Sequence, residues 1–274
     1  MLKMENKRYI SMKDIAQKLG VSVPTVSRAL RNSPEISDEL CEKVKTLAKK
    51  MNYIPNPFAM SLRRNAPRTI GVIVPDIVTH FFSSIVKGIE ETAVANGYFI
   101  IITTSSENSE HEKRNIENLV NMRVEGIIAC LSQDTTDYSH FLALKEINMP
   151  VVLFDRTCLP DQFSTVIADG VESSRMATQH FIDNGNHRIA FIGGPNHLDI
   201  VRKRKHGYLE ALRANNIPIE KELVVCRKID YREGKIAAEQ LLSLTNPPDA
   251  ILAMNDTLAF AAIDVIKSHH LRIP

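Results

Sequence analysis

Apolar positions in the first fifty residues recur with a helical period in three short stretches. In the first two stretches they lie on faces that can pack against each other, and they are Ile15, Ala16, Leu19, Val21, Val26 and Leu30. Gly20 separates these stretches where a residue without Cβ turns most easily, and Ser22 can cap the second helix through its hydroxyl. A third apolar stripe, which begins at Leu40, predicts a third helix capped by Ser37. The pattern therefore predicts a small three-helix unit with a tight turn between its first two helices.

From Thr69 onward the pattern changes to short runs that are apolar almost throughout, separated by amphipathic stretches. These runs predict buried strands at 69–76, 98–105, 125–132 and 150–155, and a second series at 164–169, 188–194, 222–227 and 249–254. Helical stretches lie between the strands, near 81–96, 109–122 and 136–148 in the first series and near 257–269 in the second. This alternation predicts an α/β body with doubly wound parallel sheets, whose two halves have strand ends facing a common cleft.

A short segment at 55–68 connects the two patterns. Its apolar part, Asn56 to Leu62, is too short to hold a helix alone in water, so a plain linker is one interpretation and a helix supported by a partner is the other. The predicted organisation is a helical headpiece at 1–54, a hinge and linker at 55–68, a first subdomain at 69–156 and a second at 157–274.

Charge is distributed unevenly between these parts. Residues 1–68 contain 14 Lys and Arg against 6 Asp and Glu, a net of +8, whereas residues 69–274 contain 20 against 26, a net of −6. A basic module on an acidic body suits a polyanionic partner, because neutralising phosphates releases their counterions. A solvated basic face is the alternative for charge alone.

Composition and motifs exclude several classes of protein. No run approaches the ~18 apolar residues of a membrane helix, and the N-terminus lacks the apolar core of a signal peptide, so we expect a cytoplasmic protein without membrane contact. Cys41, Cys130, Cys158 and Cys226 have no CxxC spacing, so neither a disulfide framework nor a metal site is expected. Gly193–Pro195 fits no nucleotide-binding motif, and GxSxG and HExxH are absent. We therefore predict no cofactor, no catalytic residues and no enzymatic activity.

The start of the second predicted helix carries the side chains best suited to DNA. Val23, Pro24, Thr25 and Arg28 are expected to point outward there. A helix that presents its N-terminal side chains can lie in the major groove, with hydroxyls and backbone N–H groups on phosphates and an arginine on guanine. An ordinary helical hairpin is the alternative, and the basic charge of this unit favours DNA.

Several strings in one fixed order resemble the lactose-repressor/galactose-repressor (LacI/GalR) family of bacterial transcription regulators. They are Asp14–Ala16, Gly20–Ser22, Thr25–Leu30, Asn52–Arg63 and Thr69–Asp76, and the resemblance extends over all but the first ten residues. It implies a helix-turn-helix headpiece, a hinge helix and a periplasmic-binding-protein-like body. It also implies a homodimeric regulator, with repression favoured, that binds a pseudo-palindromic operator and responds to a sugar or nucleoside effector. A sugar-binding module without DNA regulation, a doubly wound enzyme and an inert truncated product are the alternatives.

The resemblance assigns DNA contacts to the headpiece and the hinge. The assigned residues are Ser11, Ser22, Val23, Pro24, Thr25, Ser27, Arg28, Asn32, Tyr53, Asn56, Ala59 and Leu62. Leu62 corresponds to the side chain that wedges between base steps in the minor groove, and Ala59 is small enough for two hinges to cross. For Tyr53, packing back on the headpiece is favoured over contact with phosphate.

The resemblance also assigns effector contacts to residues that follow strand ends. They are Thr79, Phe81, Phe82, Asp155, Arg156, Arg204 and Asn255. Phe81 and Phe82 could stack on a ligand, although core packing is the better interpretation for one of them. Asp155 and Arg156 could bind vicinal hydroxyls or form an ion pair across the crossover. Thr79 replaces an asparagine that is frequent in the family, and Asp256 is expected to cap the helix that follows Asn255.

Members of the family continue with further strands beyond the position that matches Pro274. By comparison with them, we expect the second sheet to be incomplete, with an unpaired edge, and an acidic effector contact to be missing.

Overall fold

The protein is described by a computed structural model over residues 10–53 and 68–274. The chain divides into two compact units, Met1–Pro67 and Arg68–Pro274. The predicted hinge contacts Asn56, Ala59 and Leu62 lie outside the described residues.

Over residues 10–53 the headpiece contains three helices, as the apolar pattern predicted. They are α1 (Met12–Leu19), α2 (Val23–Ala29) and α3 (Asp38–Lys50). The buried side chains of all three form one core, made of Ile15, Ala16, Val26, Ala29, Cys41, Val44 and Ala48. The larger predicted residues, such as Leu19 and Leu30, are half-buried at the edge of this core. The core is small, so the headpiece depends on each of its members.

Local hydrogen bonds fix where α1 begins and ends. The Asp14 carboxylate accepts the Ser11 backbone N–H at 2.8 Å and its hydroxyl at 2.6 Å, while the Asp14 N–H donates to Ser11 Oγ at 3.4 Å. Gly20 ends the helix in the left-handed region, at φ 66°. The prediction for α3 was partly wrong, because Ser37 occupies the N-cap position without a capping hydrogen bond from its side chain.

The first sheet of the body contains five parallel strands in the order β2-β1-β3-β4-β5. The strands are β1 (Thr69–Val74), β2 (Phe99–Thr104), β3 (Gly126–Ala129), β4 (Val151–Phe154) and β5 (Ser164–Val166). The helices between them are α4 (His80–Ala95), α5 (Ser109–Asn121) and α6 (Ser139–Glu146). The order reverses between β1 and β3, which creates a switch point at the carboxyl edge of the sheet.

The second sheet repeats the start of this topology. Its described strands are β6 (Ile189–Gly193), β7 (Val224–Cys226) and β8 (Ala250–Ala253), all parallel and in the order β7-β6-β8. The helices are α7 (Gly170–Asp183), α8 (Asp199–Ala214), α9 (Tyr231–Leu242) and α10 (Asp256–Ser268). The switch point of this sheet lies between β6 and β8.

The assignment of residues 164–169 to the second series of strands was wrong. β5 pairs with β4 of the first sheet, with Val152 opposite Ser164 and Phe154 opposite Val166. After β4 the chain loops back to the start of that strand, so β5 runs parallel to β4 before the chain crosses to the second subdomain. Apolar periodicity identifies a strand but not the sheet that the strand joins, which explains the error.

Helices cover both faces of the first sheet. Val72 and Val74 of β1 pack with Phe82 and Val86 of α4 in one cluster. On the opposite face, Ile73 packs in a cluster with residues of α5 and α6, which include Ile116, Leu119, Phe141 and Leu144. The alternation along β1 therefore places successive side chains in two separate cores.

The second subdomain has one large core around β6. Tyr208 of α8 is buried in it, stacks on Phe191 with ring centroids 5.4 Å apart, and donates its hydroxyl to the Ile189 carbonyl at 2.8 Å. Gly207 allows α7 and α8 to approach closely, because a Cβ at this position would lie 2.0 Å from the carbonyl oxygen of Val171.

Three further findings concern membrane-spanning helices, metal-ligating groups and cysteines. Over 10–53 and 68–274, no helix is both long enough and apolar enough to span a bilayer. In the same ranges, no group of three or more His, Cys, Asp and Glu side chains is arranged to hold a metal ion. The four cysteines are free thiols, and Cys41, Cys130 and Cys158 are buried.

Candidate DNA-binding surface and ligand cleft

The N-cap residue Ser22 fixes the start of α2, which is exposed. Ser22 Oγ accepts the Thr25 backbone N–H at 3.2 Å and lies 2.8 Å from the Thr25 hydroxyl oxygen. Pro24 stands in the first turn, where its missing N–H leaves no unpaired partner, and this turn contains no acidic residue. The surface around Pro24 therefore has no fixed negative charge on the helix itself.

The predicted DNA contacts of the headpiece divide by exposure. Ser11, Ser22, Pro24, Arg28 and Asn32 are exposed. Thr25 and Tyr53 are half-buried, and Tyr53 packs against the headpiece core, as predicted. Burial raises the pKa of the Tyr53 hydroxyl above its ordinary value.

Two predicted contacts on α2 face the protein rather than solvent. The expectation that Val23 points outward was wrong, because its side chain is half-buried against the headpiece core. Val23 and Val26 are three residues apart, so they share one helical face. Ser27, four residues after Val23, is 7% exposed, and its carbonyl accepts from Arg31 Nε at 3.0 Å.

Arg28 has an ion-pair partner that the sequence did not reveal. Its Nη1 atom lies 3.1 Å from Glu35 Oε2, and both side chains are largely exposed. Glu35 belongs to the loop between α2 and α3, which folds back beside α2 through a bond from the Ser33 N–H to the Arg28 carbonyl at 3.1 Å. An exposed pair of this kind is weak, so the guanidinium can exchange Glu35 for another acceptor.

The carboxyl edges of the two sheets of the body meet across a cleft. Oε1 of Gln133, which follows β3, accepts the backbone N–H of Ile229, which follows β7, at 2.6 Å. Both loops leave the carboxyl ends of strands at or beside a switch point, the position where open α/β sheets bind ligands. Sequence reasoning did not single out either residue, since no motif contains them.

The loop from β1 to α4 is organised by one carboxylate. Oδ1 of Asp76 accepts the backbone N–H groups of Val78 and Thr79 at 2.9 and 2.8 Å, and the Thr79 hydroxyl at 3.0 Å. Thr79 is the N-cap residue of α4, but its side chain makes no capping bond there. The hydroxyl of this predicted ligand contact is therefore engaged by Asp76, a residue that sequence reasoning had not assigned to the site.

The two adjacent phenylalanines at the start of α4 have different environments. Phe82 is buried in the core of the first sheet, whereas Phe81 is 50% exposed. The rings meet edge to face, with centroids 5.1 Å apart. The prediction that one of the two packs in the core is confirmed, and Phe81 is the ring with a free face.

Arg156 forms a buried ion pair with Glu107 instead of a pair with its neighbour Asp155. Its Nη1 atom donates to both carboxylate oxygens of Glu107, at 2.8 and 2.7 Å, and its side chain is 6% exposed. Its guanidinium carbon also lies 5.9 Å from the centroid of the Phe82 ring. Of the two interpretations left open for these residues, the ion pair between Asp155 and Arg156 is not the one observed, because the guanidinium is engaged by Glu107; Asp155 has a left-handed backbone, at φ 56°, at the end of β4.

Asp155 and Arg204 are charged groups of opposite sign on the two sides of the cleft. Burial raises the pKa of the Asp155 carboxyl, and the positive charges of Arg156 and Arg204 partly offset this shift. Burial also lowers the pKa of Arg204, against the opposing effect of Asp155. Nη1 of Arg204 donates to the carbonyl oxygen of Met254, at the end of β8. This bond fixes the side chain at the carboxyl edge of the second sheet.

Asn255 is the N-cap residue of α10, a role that had been predicted for Asp256. Its Oδ1 atom accepts the Leu258 N–H at 3.1 Å, so Asn255 caps the helix and the expectation that Asp256 does so was wrong. The bond uses the carbonyl oxygen of the side chain. The amide nitrogen is the group that Asn255 can offer to a ligand.

A buried polar network that the sequence did not predict holds the loops of the first subdomain. Glu112 of α5 is fully buried and accepts from the Ser132 N–H at 2.6 Å and from the Thr135 hydroxyl at 2.9 Å. Nε2 of His140 lies 2.9 Å from the same carboxylate, and Ser132 Oγ donates to Ser105 Oγ at 2.8 Å. The network ties the loops after β2 and β3 to α5 and α6.

Family models match both units of the chain. The model described as bacterial regulatory proteins, lacI family, matches residues 11–56. The model described as periplasmic binding proteins and sugar binding domain of LacI family matches residues 67–274.

Individual relatives match along nearly the whole chain. The HTH-type transcriptional repressor CytR of Escherichia coli is 32% identical over 265 residues, which cover 96% of this chain and 77% of that protein. The ribose operon repressor of Escherichia coli is 29% identical over 264 residues, covering 96% and 80%.

Solved structures of regulators also match nearly the whole chain. The lac repressor dimer bound to operator and the anti-inducer ONPF superposes with a TM-score of 0.77 at 26% identity, over 97% of this chain and 79% of that one. The complex of the transcriptional regulator CelR with cellobiose has a TM-score of 0.69 at 27% identity, over 97% and 80%.

Proposed function

Because the chain belongs to the LacI family of bacterial regulatory proteins, we propose that its headpiece reads an operator and its cleft binds the effector that controls this binding. The protein is a DNA-binding transcription regulator, and repression is the expected sign, since the relatives above are named as repressors. A role on operator DNA places it in the cytoplasm, and the cleft is proposed as a binding site without catalytic residues or a cofactor.

The DNA-reading surface is proposed to be the exposed side of the headpiece around the start of α2. Arg28 reads a guanine and Asn32 contacts the backbone or a base edge, because both side chains are exposed. Pro24 contributes shape or contact with a thymine methyl group, since it has no donor. Ser11, Ser22 and Thr25 approach phosphates, whereas Val23 and Ser27 act through the backbone because their side chains face the protein.

The effector is proposed to lie between the carboxyl edges of the two sheets. Phe81 supplies a flat apolar face, while Asp155, Arg204 and the amide of Asn255 supply groups for hydroxyls. Phe82 and Arg156 support this site from the core, because Phe82 is buried and Arg156 is buried and bonded to Glu107. A sugar or a nucleoside fits this donor set, and the cellobiose complex of a related regulator supports the sugar.

The active form is proposed to be a homodimer joined through the first subdomain. β2 is an edge strand, and it leaves Phe99 67% exposed and Ile102 43% exposed. Val94, at the end of the adjacent helix α4, is 65% exposed. Apolar side chains along an unpaired strand suit an identical surface from a second copy, and the related lac repressor is described as a dimer bound to operator.

The observation that carries this proposal is the capped two-helix unit that leaves Pro24 and Arg28 exposed on a basic headpiece. The test begins with selection of duplexes from a random library by the full chain, followed by binding titrations on the selected sequence. We expect a two-fold symmetric sequence and a strong dependence on salt. Arg28→Ala should weaken binding by about 1–3 kcal/mol and relax the preference at one base pair of each half-site.

Lys43→Ala is the matched control, because Lys43 is an exposed cation of the same headpiece that pairs with Glu39 on α3. It should weaken binding little and leave base preference unchanged. If Arg28→Ala and Lys43→Ala weaken binding equally on all sequences, Arg28 does not read a base. If no duplex is enriched at low salt, the proposed function is lost. A panel of sugars and nucleosides added to the same titration then tests the effector site.

A further inference from the structure

Gln133 joins the two subdomains at the cleft while it is itself held firmly on its own side. Its side chain is buried, at 6% exposure, and its backbone N–H donates to Glu107 Oε2 at 2.8 Å. Glu107 is held in turn by the buried guanidinium of Arg156. The backbone at Gln133 is therefore anchored to the first subdomain, and its side chain reaches from this anchor to the bond across the cleft.

The partner of Gln133 is equally fixed to the second subdomain. Ile229 is 7% exposed and belongs to the large core of that subdomain. It covers Gly194, where an added Cβ would lie 2.5 Å from Ile229 Cγ1, and the Gly194 N–H donates to the Met254 sulfur at 3.1 Å. Met254 is the residue whose carbonyl accepts from Arg204. The Ile229 N–H therefore moves together with the carboxyl edge of the second sheet.

We propose that Gln133 is an interdomain latch, whose hydrogen bond to Ile229 stabilises the closed arrangement of the cleft. Two well-fixed loops can keep a bond of 2.6 Å only while the subdomains stay together, since hydrogen bonds weaken steeply with distance and angle. Separation of the subdomains exposes the N–H and the amide to water. The latch therefore sets the ratio of closed to open molecules without any contact with the effector.

The consequence for regulation rests on the proposed function. If cleft closure controls the headpiece, Gln133 sets how much effector is needed to change operator binding. One ordinary hydrogen bond changes the ratio of closed to open molecules by about tenfold. This latch is a property of the body, so it can be tested without DNA and without an effector.

The experiment uses the full chain and three substitutions. Gln133→Met keeps the size of the side chain and removes the oxygen acceptor, and Gln133→Glu retains an oxygen at the same reach. Gln162→Met is the matched control, because Gln162 is exposed and bonds Lys145 within the first subdomain. Hydrogen exchange is measured at the Ile229 amide and at Val225 in β7, and the radius of gyration is measured by small-angle X-ray scattering.

For Gln133→Met we expect exchange at Ile229 to accelerate about tenfold, unchanged exchange at Val225 and a larger radius of gyration. Gln133→Glu should restore slow exchange and the smaller radius, and Gln162→Met should change neither. Unchanged exchange or an unchanged radius in Gln133→Met would overturn the latch. If that variant does not fold, Gln133→Asn replaces it, because the shortened amide no longer reaches Ile229, and the same outcomes decide.

Operator titrations of the same variants separate this inference from the proposed function. Changes in exchange and radius without any operator binding would support the latch and remove its regulatory role. Intact operator binding with unchanged exchange in Gln133→Met would support the proposed function and overturn the latch.

Discussion

The headpiece and the first subdomain of the body use polar side chains in opposite ways. In the described part of the headpiece, polar side-chain contacts are mostly exposed and join residues no more than seven positions apart, as in Ser11 with Asp14, Lys43 with Glu39 and Arg28 with Glu35. In the first subdomain, the Glu112 carboxylate is fully buried and reaches partners 20, 23 and 28 residues away. The bond between Arg156 and Glu107 spans 49 residues.

This difference follows from what each part must hold in place. Local contacts determine where a helix begins, so they can build an exposed surface on α2 with only a small core behind it. A cleft at the edge of a parallel sheet is made of loops that come from distant parts of the chain. Such loops need long-range bonds to stay in register, and burial makes each of those bonds costly to lose.

Substitution of Glu112 should produce the largest loss of stability, and this loss should be confined to the body. Glu112→Leu leaves the Ser132 N–H, the Thr135 hydroxyl and the His140 ring without their shared acceptor. We expect the free energy of unfolding of the body to fall by about 3–5 kcal/mol. Urea denaturation, monitored by a probe in the body, measures this loss.

Glu110→Leu is the control for that substitution, because Glu110 is exposed in the first turn of the same helix. It should change the free energy of unfolding by less than about 0.5 kcal/mol. A loss below 1 kcal/mol for Glu112→Leu would mean that the buried network does not hold the loops, and the comparison between the two regions would fail.

The contrast also explains what the sequence could predict. Helices and strands were located well because apolar periodicity and caps such as Ser11 and Ser22 are local signals. The partners of Arg156 and Gln133 could not be predicted, because Glu107 and Ile229 become neighbours only when loops from different strands meet. β5 was placed in the wrong sheet for the same reason, since pairing is a long-range property.

The candidate site was predictable to a similar extent. Strand ends led to contacts near the carboxyl edges of the sheets, where the ligand is proposed to bind, and these contacts lie on loops or, for Phe81 and Arg204, in the helices α4 and α8. Side-chain direction was less predictable: Val23 turned inward because it shares a helical face with Val26, and Asn255 took the capping role that had been given to its neighbour. Both errors concern competition between a functional role and a local structural role for one side chain.

A core substitution in the headpiece should give an intermediate effect that stays in the headpiece. Val26 is fully buried, so Val26→Ala should lower the free energy of unfolding of this unit by about 2 kcal/mol, from the lost methyl groups and the cavity they leave. A core this small has little stability to spare, so a separate transition at lower temperature should appear in calorimetry while the transition of the body is unchanged. Operator binding should weaken in parallel.

Val78→Ala is the control for Val26→Ala, since Val78 is 91% exposed in the body. It should leave the headpiece transition unchanged. A single transition that shifts as a whole in Val26→Ala would show that the two units unfold together, which contradicts a headpiece held only by its own local contacts.

The smallest expected effect concerns the exposed pair of Arg28 and Glu35, which lie 3.1 Å apart. Glu35→Gln removes a competitor for the guanidinium and a negative charge close to the proposed DNA surface. We expect operator affinity to rise by less than about 1 kcal/mol, with little change in headpiece stability, because an exposed pair stabilises a fold weakly.

Glu42→Gln removes the same charge from α3, where Glu42 pairs with Lys45, and should produce a smaller gain. A double-mutant cycle decides the cause. If Glu35→Gln acts by freeing Arg28, it gives no gain in the Arg28→Ala background, whereas an equal gain in both backgrounds would mean that only the overall charge of the headpiece matters.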